Sequence, residues 1–154
     1  MRISAKADYA VRAAAELAAG GSVGGGWVKA ERLARAQGIP LNFLENILRE
    51  LRRAGIVRAH RGAEGGYLLA RPSEEITIAE VLRAVEGPLA AVQGTRPESL
   101  EYRGAARRLP DVWVAVRAAL RGVLEQVTLA DIASGELPAE VAEALADPEA
   151  WNPH

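Results

Sequence analysis

The stretch "GIPLNFLENILRELRRAGIVRAHRGAEGGYLLAR", residues 38–71, changes its hydrophobic period near its middle. In the first half, apolar residues recur at helical spacing, at Phe43, Leu44, Ile47, Leu48 and Leu51. Beyond Gly55, the segments "IVRAH" and "GYLLAR" flank the glycine-containing loop "RGAEG", a pattern typical of a β-hairpin. We therefore predict an amphipathic helix that ends at Gly55 and a two-stranded hairpin directly after it.

The start of this helix carries its own signals. Pro40 disfavours a helical conformation for Ile39, which predicts a turn over "IPLN". Asn42, with Glu45 three residues later, approximates a capping box. These residues predict a helix capped by Asn42.

Two helical segments precede the turn. The first runs from Ile3 at helical spacing and stops at Gly20 and Gly21, and "KAERLARAQG" predicts a short helix that ends at Gly38. Between them, "GGSVGGGWV" is glycine-rich and predicts a flexible connection. Helix, helix, tight turn, basic helix and hairpin is the order of a winged helix-turn-helix. The predicted fold is mainly α with a small β-hairpin, and residues 1–87 are its DNA-binding domain.

The sequence after the hairpin predicts a short helix, a loop, one long helix and a tail. Thr77 and Glu80 form a capping box for a short helix through Val85, and Gly87 closes it. We predict a loop over residues 88–110 and, after it, a helix capped by Asp111. The apolar residues of this helix form a heptad-like seam at Trp113, Val116, Leu120, Val123 and Val127. The seam is too short to stand alone, so it predicts a homodimer interface over residues 111–134. Residues 135–154 are predicted to be an acidic tail.

Charge is distributed unevenly along the chain. The net charge is −1, yet the stretch from Lys29 to Gly62 holds eight Lys and Arg residues against three acids. From Ser134 to His154 there are five acids and no Lys or Arg. The neutral total therefore hides a basic middle and an acidic tail.

The exposed face of the basic helix has the residue types that read DNA. Asparagine matches the edge of adenine, arginine matches guanine, and glutamate can accept from cytosine, which favours base contacts by Asn42, Glu45, Asn46 and Arg49. Arg52 and Arg53 lie further along, where phosphates are the expected partners. Such a helix could also be a solvated surface, but the hairpin that follows disfavours that reading.

The glycine-rich loop does not indicate an enzyme. "RGAEGG" lacks the Gly-Lys-Ser/Thr of a nucleotide-binding loop, and no helix follows it. The chain has no cysteine, and its only histidines are His60, interpreted as a surface strand residue, and His154. We therefore expect no disulfide, thiol catalysis, transition-metal site or cofactor. No signal peptide or membrane span is evident, so we expect a cytoplasmic protein.

Three segments of the sequence resemble the Rrf2 family of winged-helix regulators, typified by IscR, NsrR and CymR. They are "RISAKADYAVRAAAELA", "GIPLNFLENILRELRRAGIVRAHRGAEGGYLLAR" and "ITIAEVLRAVEG", and the segment "VWVAVRAALRGVLEQVTLADI" resembles the family's dimerisation helix. The resemblance implies a homodimeric regulator, usually a repressor, that reads a palindromic operator in double-stranded DNA. It adds Phe43 to the recognition helix, places Arg61 and Gly62 at a wing tip in the minor groove, and brings Arg2, Lys6 and Tyr9 near the DNA backbone. The remaining wing glycines would let the backbone approach the DNA.

The chain departs from the family at the iron–sulfur site. Many members hold a cluster on three cysteines, but the corresponding segment here, "AVQGTRPESLEYRGAARRLPDVW", has neither cysteine nor histidine. Asp8 retains an acid that some members use in the first helix, whereas Arg12 stands where a histidine would be needed. We therefore predict a regulator without an iron–sulfur cluster, which responds to another small-molecule or protein effector.

Two alternatives remain open from the sequence. The chain could be a protein-interaction module that keeps the fold without strong DNA binding, which internal ion pairs at Arg49, Arg52 and Arg61 would favour. It could also be a ligand sensor with a pocket between the long helix and residues 88–109.

Overall fold

A computed structural model describes residues 2–21 and 26–153 of the chain. The winged-helix core comprises α1 (Ala5–Gly21), α2 (Ala30–Gln37), α3 (Leu41–Arg53), β1 (Val57–His60), β2 (Gly66–Leu69) and α4 (Ile78–Glu86). Further along are α5 (Leu109–Leu124), α6 (Leu129–Ser134) and α7 (Ala139–Ala146), and short 3-10 turns at Ser73–Glu75, Pro97–Ser99, Gly104–Ala106 and Pro148–Trp151. The predicted class, mainly α with a small hairpin, is confirmed.

The core is aliphatic and is shared by the first four helices and α6. Small alanines on the buried side of α1 allow α3, α4 and α6 to pack closely around it. The side chains of Leu44, Leu48 and Leu51 on α3 are completely buried. Burial of such side chains stabilises each by about 1.5–3 kcal/mol relative to solvent exposure. One face of α3 therefore packs in the core, and the opposite face is exposed to solvent.

The turn between α2 and α3 uses a left-handed glycine and a proline. Gly38 has φ of 61° and its N–H donates to the carbonyl of Ala34, which ends α2 as predicted. The predicted cap at Asn42 is wrong, because Pro40 occupies the N-cap position and α3 begins at Leu41 without a side-chain cap. Asn42 is instead the second residue of the helix. Phe43, which the period assigns to the apolar face, is half exposed.

The wing is an antiparallel hairpin with an additional bridge. The register pairs Val57 with Leu69 and His60 with Gly66. Val28 also pairs with Tyr67 across an antiparallel bridge. The glycine-rich connection predicted over residues 20–28 lies partly outside the described residues. Of its described residues, Gly20 and Gly21 end α1, and residues 26–28 end in this bridge, which the sequence pattern did not predict.

The second half contains more helix than the sequence indicates. The capping box of Thr77 and Glu80 is confirmed, and Thr128 forms a second one with Asp131 at the start of α6. The predicted cap at Asp111 is wrong: α5 begins at Leu109, and Asp111 pairs with Arg108 at 2.8 Å from within the first turn.

Residues 135–153, predicted as tail, include the helix α7. Its Val141 packs against the hydrophobic core, so this part of the segment is attached to the rest of the molecule. Among the described residues no helix is both long and apolar enough to cross a membrane.

Candidate nucleic-acid interface

The outward face of α3 carries the residues predicted to meet DNA. All seven are exposed: Asn42, Phe43, Glu45, Asn46, Arg49, Arg52 and Arg53. Arg49 Nη1 donates to Asn46 Oδ1 at 2.9 Å, and Asn46 Nδ2 donates to the carbonyl of Asn42 at 3.2 Å. The side chains of Arg49 and Asn46 are therefore joined by a hydrogen bond, and Asn46 is held in turn by the backbone of Asn42.

The wing lies beside this face, and the two elements line one groove. Glu45, Arg49 and Arg52 form its α3 side. The hairpin side includes His60, Arg61 and Tyr67. The structure thus brings Arg61, predicted from the wing, into the same groove as two arginines predicted from the helix.

Residues before α2 support the wing and add positive charge to it. Lys29 Nζ donates to the carbonyl of Gly62 at 3.0 Å. The ring of Trp27 stacks on His60 with a centroid separation of 5.2 Å, and the guanidinium of Arg58 lies 6.0 Å from the Trp27 ring. Sequence reasoning did not place Trp27, Lys29 or Arg58 at the site. Their positions depend on the pairing of Val28 with Tyr67, which local hydrophobic periodicity does not predict.

The wing glycines do not share one role. Gly62 has φ of 104°, and a Cβ there would meet nothing within 4 Å. At Gly66 a Cβ would lie 2.5 Å from the carbonyl oxygen of Val28, and at Gly65 it would overlap the carbonyl oxygen of His60. The structure therefore corrects the expectation for Gly65 and Gly66: the close backbone approach they permit is to their own chain.

The three α1 residues expected near the DNA backbone differ in their surroundings. Lys6 Nζ forms an ion pair with Glu50 Oε2 of α3 at 2.8 Å. The Tyr9 ring packs edge-to-face on Phe43, with centroids 6.0 Å apart, and the guanidinium of Arg12 lies 5.3 Å from the centroid of the Tyr9 ring. Arg2 is exposed. Of the three, Lys6 and Tyr9 attach α1 to the recognition helix.

The basic residues of the groove form no ion pair with the part of the chain that the structure describes. Within residues 2–21 and 26–153, the ion pairs do not include Arg49, Arg52, Arg53 or Arg61. Unpaired surface guanidinium groups that converge on one groove suit a polyanion. Their exposure is also the opposite of what the protein-interaction alternative requires.

The structure contains a helix-turn-helix whose second helix buries one face, with a wing beside it and a cationic groove between the two. These features define a winged-helix DNA-binding transcriptional regulator. The profile of the Rrf2 family, described as "Iron-dependent Transcriptional regulator", matches residues 3–135. The chain belongs to the Rrf2 family, whose members are transcriptional regulators and not enzymes.

Relatives and solved structures agree with this assignment. A chain of Mycobacterium tuberculosis named as an HTH-type transcriptional regulator is 56% identical over 147 residues, which cover 96% of this chain and 89% of the relative. The HTH-type transcriptional regulator CymR of Bacillus subtilis is 35% identical, over 87% of this chain and 91% of the relative. The solved structure of CymR from B. subtilis, the global cysteine regulator, superposes with a TM-score of 0.71 at 34% identity, covering 88% and 98% of the two chains.

The residues of this chain do not fit the iron centre that the family description implies. The chain has no cysteine. In the described residues, no group of three or more His, Cys, Asp or Glu side chains could hold a metal ion. Asp8 is engaged by Arg12 at 2.9 Å, and Arg12 also donates to the side chain and the carbonyl of Gln37. A guanidinium at this position repels a cation and cannot act as a ligand.

Proposed function

We propose that this chain is a homodimeric transcriptional repressor that binds a palindromic operator through α3 and the wing, in the cytoplasm and without an iron–sulfur cluster. The proposal rests on the groove in which Arg49, Arg52 and Arg61 converge without an ion pair among the described residues. Arginines that form no internal ion pair keep their charge available to phosphates and bases.

The position of each residue along α3 suggests its role. The N-terminal half of a recognition helix faces base edges, which assigns base contacts to Asn42, Phe43, Glu45, Asn46 and Arg49. Arg52 and Arg53, near the C-terminal end, are assigned to phosphates. Arg61 and Gly62 would enter the minor groove, and Arg2, Lys6 and Tyr9 would approach the backbone. Lys6 would have to exchange Glu50 for a phosphate, so we expect its contribution to be smaller than that of Arg49.

The proposed dimer interface is the outer face of α5. Val112 is 51% exposed and Val123 is 45% exposed, and Val116 lies between them on the same side of the helix. Among the described residues, the indole Nε1 of Trp113 is buried without a hydrogen-bond partner. Trp113 and Leu120 remain in the proposed dimer interface as half-buried neighbours of these three valines.

Val127 leaves the predicted interface. It lies beyond the end of α5, is 6% exposed, and its carbonyl accepts the N–H of Ile78 at 2.9 Å. It therefore belongs to the core of its own chain. Val112, which was not part of the predicted seam, is exposed and replaces it in the proposed interface.

A dimer fixes the geometry of the operator. Two recognition helices related by a twofold axis read half-sites about 34 Å apart, one turn of DNA, or a multiple of that distance. The two half-sites must be inverted repeats because the two protomers are identical. A dimer placed over a promoter would block transcription, which is the basis of the repressor proposal.

Selection of bound fragments from genomic DNA tests this function directly. We expect enrichment of one inverted-repeat motif upstream of a small number of genes, with derepression of those genes when the chain is removed. Equal recovery of all fragments at physiological salt would contradict sequence-specific regulation and favour the protein-interaction alternative.

A further inference from the structure

A second basic groove lies away from the DNA-binding face, between the end of α4, the following loop and the side of α5. Its volume is about 460 Å³. It is lined by four arginines, one acid and a short apolar wall: Arg83, Arg96, Arg117, Arg121, Glu98, Gly87, Pro88 and Leu89. Ligand pockets commonly have volumes of about 300–1,000 Å³, so a small molecule would fit.

Positive charge exceeds negative charge in this groove. Glu125 is shared, because Arg121 Nε lies 2.9 Å from its Oε1 and Arg83 donates to the same oxygen. Arg117 pairs with Glu98. Arg96 is exposed, and among the described residues no carboxylate forms an ion pair with it. Two carboxylates therefore face four guanidinium groups.

We propose that this groove is a binding site for a small organic anion that carries a carboxylate or phosphate group. Guanidinium groups bind both groups with paired hydrogen bonds, and the apolar side chains of Pro88 and Leu89 offer a surface for the remainder of the ligand. Arg96 would supply the first contact, since its guanidinium is exposed and forms no ion pair within the described residues, although its charge helps to lower the pKa of Glu98. Arg117, whose side chain is 22% exposed, would close the site from α5.

The valine side of the proposed dimer contact lies away from this groove, and Trp113 and Leu120, about 40–100° around α5 from Arg117 and Arg121, lie between the two. At about 100° per residue along α5, Arg117 and Arg121 lie about 100–180° around the helix from Val112, Val116 and Val123. A second copy packed on the valine side would therefore not cover the arginine side.

Ligand binding here would be coupled to DNA recognition. Arg83 is on α4, which packs against α1 and α3, whereas Arg117 and Arg121 are on α5. An anion that bridges these arginines competes with Glu125 and Glu98 and changes how α5 is held against α4. This coupling rests on the proposed function, because it acts by changing the spacing of two recognition helices in a dimer.

Calorimetric titration of the full chain with citrate and, separately, with inorganic phosphate at constant ionic strength tests the site. We expect saturable binding of at least one probe, weakened tenfold or more in Arg96→Gln, which breaks no internal ion pair. The matched control is Arg107→Gln, an exposed arginine before α5. It should bind as the unaltered chain does.

The two probes distinguish a carboxylate site from a phosphate site, and binding of either supports the proposal. Failure of both probes up to about 10 mM, well above a millimolar dissociation constant, would overturn it. Equal binding by Arg96→Gln would also overturn it, as would a loss in Arg49→Gln, which would place the anion in the DNA groove. A chain that binds the probe at Arg96 but binds no DNA would refute the proposed function and leave this site standing.

Discussion

Val28 and Tyr67 exchange two backbone hydrogen bonds, with N···O distances of 3.0 Å and 2.8 Å. The bond pair attaches the segment before α2 to the second strand of the wing. It places Trp27 against His60 and Lys29 against Gly62. The shape of the wing therefore depends on residues that precede α2 and α3 in the sequence.

Replacement of Gly66 by alanine tests this attachment. A Cβ there would lie 2.5 Å from the Val28 carbonyl oxygen, and φ is 153°, so we expect Gly66→Ala to lower the free energy of unfolding by about 1–3 kcal/mol. Urea unfolding measures the change. Gly26→Ala is the control, because a Cβ at Gly26 meets nothing within 4 Å. Equal unfolding midpoints for the two variants would mean that the wing does not pack as described.

Glu80 should make the stability of the fold sensitive to acid. Partial burial raises its pKa, but the hydrogen bond from the Thr77 N–H and the hydrogen bond and charge of Arg71 outweigh this effect, so the pKa lies below its ordinary value. A lowered carboxyl pKa contributes stability above the unfolded-state pKa, and that contribution is lost as pH falls through the folded-state value.

The matching experiment compares Glu80→Gln with the unaltered chain from about pH 7 to about pH 3. Glutamine keeps the capping hydrogen bonds but does not titrate. We expect the variant to be less stable at neutral pH and the difference in melting temperature to shrink in acid. The exposed Glu74→Gln serves as control, and a difference that stays constant with pH would refute the role of the Glu80 charge.

The valine side of α5 should determine the oligomeric state. Val123→Glu places a charge in the proposed interface, where an unpaired carboxylate is costly to desolvate. We expect a dimer for the unaltered chain and a monomer for Val123→Glu in light scattering at micromolar concentration. Ala118→Glu, on another side of the helix, should remain dimeric. A monomeric unaltered chain would remove the basis for a palindromic operator.

Local patterns in the sequence were sufficient for the first five helices and the hairpin, but not for α7, which lies in the predicted tail. The change of period at Gly55 predicts both α3 and the wing, and the pair Thr77 and Glu80 predicts the start of α4 correctly. These patterns involve residues only a few positions apart, so they can be recognised in the sequence alone. The cap assignments at Asn42 and Asp111 failed because α3 begins at Leu41 after Pro40 and α5 begins at Leu109, and the N-cap residue of neither helix makes a side-chain hydrogen bond.

Long-range packing was not predictable in the same way. The pairing of Val28 with Tyr67 joins residues distant in sequence, and the burial of Val127 depends on the backbone of Ile78. The exposure of the polar residues on α3 could be predicted, whereas the contacts of Trp27 and Lys29 with the wing could not. The two wing glycines show the same limit, because only the folded chain reveals which carbonyl each one approaches.

The most direct test of the DNA-binding account is the salt dependence of operator binding by Arg61→Ala. Each phosphate neutralised by a basic side chain adds about one unit to the slope of log K against log salt. We expect the unaltered chain to show a steep linear decrease, and Arg61→Ala to bind more weakly with a slope about one unit smaller. Arg103→Ala, an exposed arginine outside the groove, should match the unaltered chain. An Arg61→Ala variant with unchanged affinity and unchanged slope would contradict the assignment of the wing and α3 groove as the DNA-binding surface.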